Sequence, residues 1–192
     1  EKEIDERLKG IEPRFLEVIE NEVLMINTGV TWDDVAGLEN AKQAVKEAIM
    51  FPMVHPELFT GLREPPRGVL FFGPPGTGKT MIAKALATFA SGAGCTFFNI
   101  SASSIMSKWF GEGEKLVRAL FSLARVKSPS IIFIDEIDSM LTKRGDNDFE
   151  ASRRVKTEFL LQFDGVSSGT ERVLILGSTN RPQDLDEAAK RR

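Results

Sequence analysis

The stretch "GPPGTGKT", Gly73 to Thr80, has the composition of a loop that holds phosphate. It follows the apolar run "GVLFF" and opens a helical pattern, the context in which this spacing carries weight. Gly73, Gly76 and Gly78, interleaved with Pro74, Pro75 and Thr77, let the backbone wrap a phosphate chain and aim its N–H groups inward. The helix that follows adds partial positive charge at its N-terminus. Lys79 is placed to reach the β- and γ-phosphates of a nucleotide and the Thr80 hydroxyl to hold Mg²⁺, and the binding stretch runs on to Met81. A tight turn alone requires neither the lysine nor the threonine.

The second constellation is "IIFIDEID", residues 131–138, four apolar residues ending in two carboxylates. Ligands of an open α/β sheet bind at the C-terminal ends of its strands. Asp135 is placed to hold Mg²⁺ through water, and Glu136 to polarise an attacking water as general base. Glu directly after Asp favours hydrolysis over kinase chemistry. A P-loop kinase and a nucleotide-binding scaffold without turnover are the rival classes. "GSTNRP" (177–182) closes a further apolar strand with Asn180, an amide able to orient the same water.

"SKWFGEGEK", Ser107 to Lys115, is the third. Lys108, Trp109 and Phe110 stand before a loop built on Gly111 and Gly113. One ring can tuck into a core, but two adjacent rings cannot both point the same way. At least one needs another partner.

These groups must be positioned by a regular scaffold. Short β-rich runs, "GVLFFG", "TFFNI", "SIIFIDE" and "VLILGST", are separated by helical patterns at 79–90, 113–126 and 150–163. Strand, helix, strand at this rhythm predicts a doubly wound, mostly parallel α/β sheet with helices on both faces. Upstream, a charged helical pattern over 1–27 carries an apolar stripe of Leu8, Ile11, Phe15, Ile19 and Leu24. A turn-rich connector over 28–38 precedes an amphipathic helix over 39–50, which Pro52 is expected to stop, and residues 51–68 are expected to be loop with one helical turn. The division expected is a helical linker over 1–29 and a large α/β subdomain over 30–192.

The chain has 192 residues, 42% hydrophobic and 28% charged, enough for one sizeable core. No apolar run approaches the length of a membrane-spanning helix. The single Cys95 cannot form an internal disulfide, which suits a reducing compartment, and the lone His55 excludes a multi-histidine metal site. Net charge is −3, with eight acidic and four basic side chains in residues 1–30. The rest is nearly balanced, so there is no strong global field for nucleic acid. Beginning at Glu1 and ending on Arg191 and Arg192, the chain reads as a piece of something longer.

The order of "GPPGTGKT", "IIFIDEID", "STNRP" and "DEAAKRR" resembles the core of the AAA ATPases over about Val30 to Arg192. "WDDVAGLENAK", "SKWFGEGEKLVRALFSLAR" and "EASRRVKTEFLLQFDG" are similar to the branch holding katanin, spastin and fidgetin, and "LKGIEPRFLEVIENEVL" to its fidgetin-like members. The resemblance implies that Ala36 meets adenine through its backbone. Arg191 and Arg192 match the arginine fingers that enter the neighbouring subunit's nucleotide site, so the active unit is expected to be a ring, a hexamer when ATP is bound. "KWF" falls on the central-pore loop, where the aromatic grips a threaded polypeptide and Lys108 draws in acidic tails. A second pore loop is expected around 145–154, with Phe149 where relatives often have His. Mg-ATP hydrolysis coupled to pulling on protein is the activity implied, with tubulin tails and microtubule severing the expected target. Remodelling of recombination-protein filaments in the nucleus is the alternative, and the location follows as cytoplasm or nucleus. Neither a membrane nor direct nucleic-acid contact is expected. The family's helical lid is expected to lie outside these residues.

Overall fold

The computed structural model describes residues 5–24, 29–109, 111–142 and 150–192. The helices, in chain order, are α1 (Pro13–Leu24), α2 (Glu39–Val45), α3 (Phe51–Val54), α4 (Lys79–Gly92), α5 (Ala102–Lys108), α6 (Gly113–Val126), α7 (Asp138–Leu141), α8 (Glu150–Ser168) and α9 (Glu187–Lys190). The strands are β1 (Gly68–Phe72), β2 (Thr96–Ser101), β3 (Ser130–Asp135) and β4 (Val173–Thr179). They form one sheet in the order β1-β4-β3-β2. Every neighbouring pair is parallel, with Phe72 beside Thr179 and Ser101 beside Asp135. The C-terminal ends of all four strands therefore meet at one edge.

Successive strand residues point to opposite faces, and each face has its own core. Phe97, Ile131, Phe133 and Leu176 pack with Val45 of α2 and with Ile82 and Leu86 of α4. Phe98, Ile132, Ile134 and Ile175 pack on the other face with Leu120 of α6 and Phe159 of α8. β3 is buried from Ser130 through Ile134, which is why its sequence is continuously apolar rather than alternating. α6 keeps the expected bounds because its period is strong: Leu116, Val117, Leu120, Phe121 and Ala124 are buried while Lys115 and Arg118 face solvent.

Three expectations are corrected. Pro52 does not stop the upstream helix. Residues Lys46–Met50 widen into a π-turn, and α3 follows directly with Pro52 in its first turn. A π-turn shifts the hydrogen-bond ladder by one residue, which lets the chain pass a residue that lacks an N–H. The N-terminal pattern is not one helix, since Gly10 takes a positive φ of 85° between a short 3₁₀ turn at Glu6–Leu8 and α1. Its stripe is nonetheless real: Phe15 and Ile19 are fully buried in the same core as α6 and α8, with Leu8 and Ile11 against it, while the Leu24 side chain lies outside the described residues. Finally, the "ASSIMSK" run, outside the helical patterns expected, forms α5, and Trp109 follows its end.

Candidate functional site

The phosphate loop joins the end of β1 to the start of α4. Gly76 and Gly78 take φ of 78° and 94°, conformations L side chains rarely adopt. Gly78 has a second constraint, because a Cβ there would meet Leu38 Cδ1 at 2.9 Å. Pro74, Pro75, Gly76, Thr77 and Thr80 are exposed, Gly73, Gly78 and Lys79 half-buried, and Met81 packs on the core beneath α4. The loop is braced from within. Thr77 donates its hydroxyl to the Pro74 carbonyl at 2.8 Å, and Lys79 Nζ donates to the carbonyls of Gly73 at 2.9 Å and Pro74 at 2.8 Å. The ammonium is thereby held at the mouth of a loop whose N–H groups open α4.

At the same sheet edge, β3 ends in Asp135, half-buried, and Glu136, exposed. Glu136 has a φ of 52°, uncommon for a non-glycine residue, and its N–H donates to Asp135 Oδ1 at 2.9 Å. The Ile137 N–H then bonds the Ser178 carbonyl at 3.0 Å, pinning this turn to β4. β4 delivers Asn180 as an exposed residue just beyond its tip. The neighbouring Thr179 hydroxyl bridges to Asp138 Oδ1 at 2.5 Å and accepts the Arg181 N–H at 2.9 Å. Gly73, Glu136 and Asn180 thus follow the ends of three adjacent strands.

The residues suit a hard cation beside a phosphate chain. Thr80 Oγ1 and Asp135 Oδ2 have no partner among the described residues, and both are oxygen donors. Mg²⁺ takes few protein ligands and fills its octahedron with water and substrate oxygens.

Beside the loop lies a cleft of about 420 Å³, lined by Leu38, Val45, Ile49, Phe71, Pro74 and Lys79 among others. Ala36, expected at the base, is exposed and does not line this cleft. Leu38 does, with a φ of 58°, and no sequence signal singled it out.

The two arginines lie elsewhere. They follow α9, whose N-cap Asp186 accepts the Ala188 N–H at 2.8 Å and ion-pairs with Lys156 of α8. A Cβ on Gly68 would stand 3.1 Å from the Arg192 carbonyl, so the pair sits at the start of β1, whereas the phosphate loop leaves its end. The two arginines also differ. Arg192 is clamped to Asp164 of α8 by paired hydrogen bonds of 2.6 and 2.7 Å, and these hold the Asp164 carboxyl below its ordinary range. Arg191 is exposed, and its guanidinium has no partner among the described residues.

Lys108 is exposed. Trp109 is not the open ring expected of it. It is half-buried, edge-on to Phe15 of α1 with ring centroids 5.6 Å apart. Phe110, Phe149 and most of the second expected loop lie outside the described residues, and residues 150–154 form the first turns of α8.

Residues 69–192 match the profile of the ATPase family associated with various cellular activities (AAA). The chain is 58% identical to human (Homo sapiens) fidgetin-like protein 1 over 190 residues, which are 98% of this chain and 28% of that protein. It therefore spans little more than a quarter of that relative's length. Among solved structures, the FIGL-1 AAA domain in complex with ADP superimposes with a TM-score of 0.83 at 58% identity, covering 96% of this chain and 60% of that one. A katanin structure described as the basis for katanin self-assembly gives a TM-score of 0.75 at 43% identity, over 92% and 56% of the two chains. With the profile covering most of its length and its site residues, this chain belongs to the AAA family of ATPases.

Proposed function

We propose that this domain binds and hydrolyses Mg-ATP within a ring of identical subunits and uses the cycle to pull on acidic polypeptide tails, those of tubulin being the class expected. The observation that carries the reading is one sheet edge presenting a glycine cradle with its lysine, an Asp–Glu turn and a strand-tip amide. ADP in the related FIGL-1 domain supports nucleotide binding, and katanin self-assembly supports the ring. Thr80 and Asp135 would hold Mg²⁺, which when bound shields phosphate charge. Lys79 neutralises the phosphate tail, Glu136 takes the proton from the attacking water, and Asn180 orients that water. The severing of microtubules belongs to the same proposal.

Removing the Lys79 ammonium should weaken nucleotide binding. A charge-assisted hydrogen bond contributes about 1.5–3 kcal/mol, so Lys79→Ala should lose roughly tenfold to a hundredfold in affinity. Titration with a fluorescent ATP analogue measures it. Parent affinity in that titration would mean the loop is no phosphate cradle.

The substrate half of the reading rests on Lys108 and Trp109. Trp109→Ala should abolish stimulation of phosphate release by poly-L-glutamate in the full-length protein. Since the ring is half-buried on Phe15, the same change should also lower stability by about 1.5–2.5 kcal/mol, half the cost of a fully buried ring. Stimulation that survives the substitution removes Trp109 from substrate handling.

A further inference from the structure

The linker segment ahead of the ATPase core converges on the aromatic loop with three separate contacts. Phe15, 1% exposed and anchored in the core, presents its ring to Trp109 at 60° between planes, the edge-to-face geometry aromatic pairs favour. The Arg14 guanidinium lies 4.6 Å from the centroid of the same Phe15 ring. Its Nη2 also donates to Glu112 Oε1 at 2.5 Å. Glu12 accepts from Lys115 Nζ at 3.1 Å and from Arg14 Nε at 2.8 Å. Glu112 belongs to the turn that Trp109 opens and closes it with its N–H on the Trp109 carbonyl at 2.8 Å, while Lys115 stands in the first turn of α6. One face of the loop is thus fixed by α1 and its preceding residues, while Lys108 and part of the Trp109 ring remain open to solvent.

We propose that Phe15 and Arg14 are positioning residues for substrate engagement, so that the linker helix α1 is a working part of the polypeptide-gripping apparatus. The inference rests on the reading of Trp109 as a gripping ring. An aromatic that must stack on a passing chain loses affinity if it has to be ordered at each encounter. Phe15 supplies that order in advance by holding one edge of the indole. The Arg14–Glu112 and Lys115–Glu12 pairs keep α1 in register with the turn that follows Trp109. Such exposed pairs add little stability in themselves. Their effect here is geometric, because they tie α1 to the segment that follows the ring.

The test uses the full-length protein assembled with ATP, with Trp32 and every tryptophan outside these residues replaced by Phe so that Trp109 alone reports. Trp32 suits replacement because its buried indole N–H has no hydrogen-bond partner among the described residues. Two variants perturb the clamp. Arg14→Glu sets a carboxylate against Glu12 and Glu112 at the surface, and Phe15→Leu keeps the burial while removing the ring. In both, acrylamide quenching of Trp109 fluorescence should rise. The half-saturating concentration of poly-L-glutamate should increase by up to about tenfold, the scale of one aromatic pair. Phosphate release without polypeptide should stay at the parent rate, a split that general destabilisation does not produce. The Arg14→Glu/Glu112→Arg swap should restore both quenching and half-saturation. Unchanged quenching and half-saturation in both variants overturn the proposal, and so does a fall in half-saturation, which would show α1 withholding the ring. If Trp109→Ala itself leaves stimulation intact, the gripping reading fails and this inference with it. If Trp109→Ala abolishes stimulation while the Arg14 and Phe15 variants match the parent, only this inference fails.

Discussion

Glu136→Gln is expected to leave ATP bound and unhydrolysed. The amide keeps the shape of the side chain and loses the base, and general-base catalysis is worth about 10²–10⁴ in rate. The backbone gives no reason for a folding defect. Glu136 is exposed, and its turn is held by main-chain bonds to Asp135 Oδ1 and the Ser178 carbonyl that the substitution does not touch. Its positive φ of 52° is no harder for Gln than for Glu. Single-turnover phosphate release measures the chemical step, and binding of a fluorescent ATP analogue measures the site. The expected pair of results is parent-like binding with release slower by two orders of magnitude or more. Release within threefold of the parent would falsify the base assignment and move attention to another group at the β3–β4 edge. Because the trapped nucleotide persists, the variant should also hold rings together, which light scattering follows.

The parts of this domain that were legible in the sequence are those where one local rule decides. β3 reads as a strand because burial on both faces leaves no polar position, and α6 reads as a helix because its buried residues recur at helical period. The phosphate loop is legible for the same reason: glycine, lysine and threonine at fixed spacing answer one chemical demand, and the loop needs no distant partner to be recognised. What could not be read depends on contacts between segments far apart in the chain. Pro52 signals a helix stop, yet the π-turn over Lys46–Met50 carries the chain past it, with Ile49 and Pro52 both buried. Trp109 in its glycine-flanked stretch looks like an open ring until α1 brings Phe15 against it. Arg191 and Arg192 are adjacent and chemically identical, and what distinguishes them is that Arg192 is held by Asp164 of α8 and the Ala188 carbonyl. Leu38 joins the cleft because an αL turn before α2 swings it toward Gly78, a conformation leucine does not advertise.

Loss of the Arg191 guanidinium should cost turnover while leaving nucleotide binding within a subunit largely intact. The reason is position. Arg192 lies beside Gly68 at the start of β1, and the phosphate loop begins at its other end, five residues on, about 16 Å at the rise of a strand. An arginine there does not reach its own subunit's phosphate chain, so any catalytic work it does is done for a neighbour. A charge supplied in trans to a transferring phosphoryl group is worth about 10³–10⁵ in rate. Arg191, with no partner among the described residues, is the arginine free to supply it, whereas Arg192 must first leave Asp164. Arg191→Ala should therefore show the larger loss of turnover, and Arg192→Ala should add a loss of stability that falls away at acid pH. Asp164 has a depressed folded-state value, so the pair stabilises above its unfolded value and that contribution disappears as pH drops through the folded one. Mixing full-length Arg191→Ala with Glu136→Gln subunits isolates the trans role. In a mixed ring, an Arg191→Ala subunit still has its own Glu136, and a Glu136→Gln neighbour still offers it Arg191. Interfaces of that kind are complete, so phosphate release should recover as the two inactive proteins are combined, with a maximum near equal proportions. Mixed rings verified by differential labelling that stay inactive at every ratio would place Arg191 outside the neighbour's site.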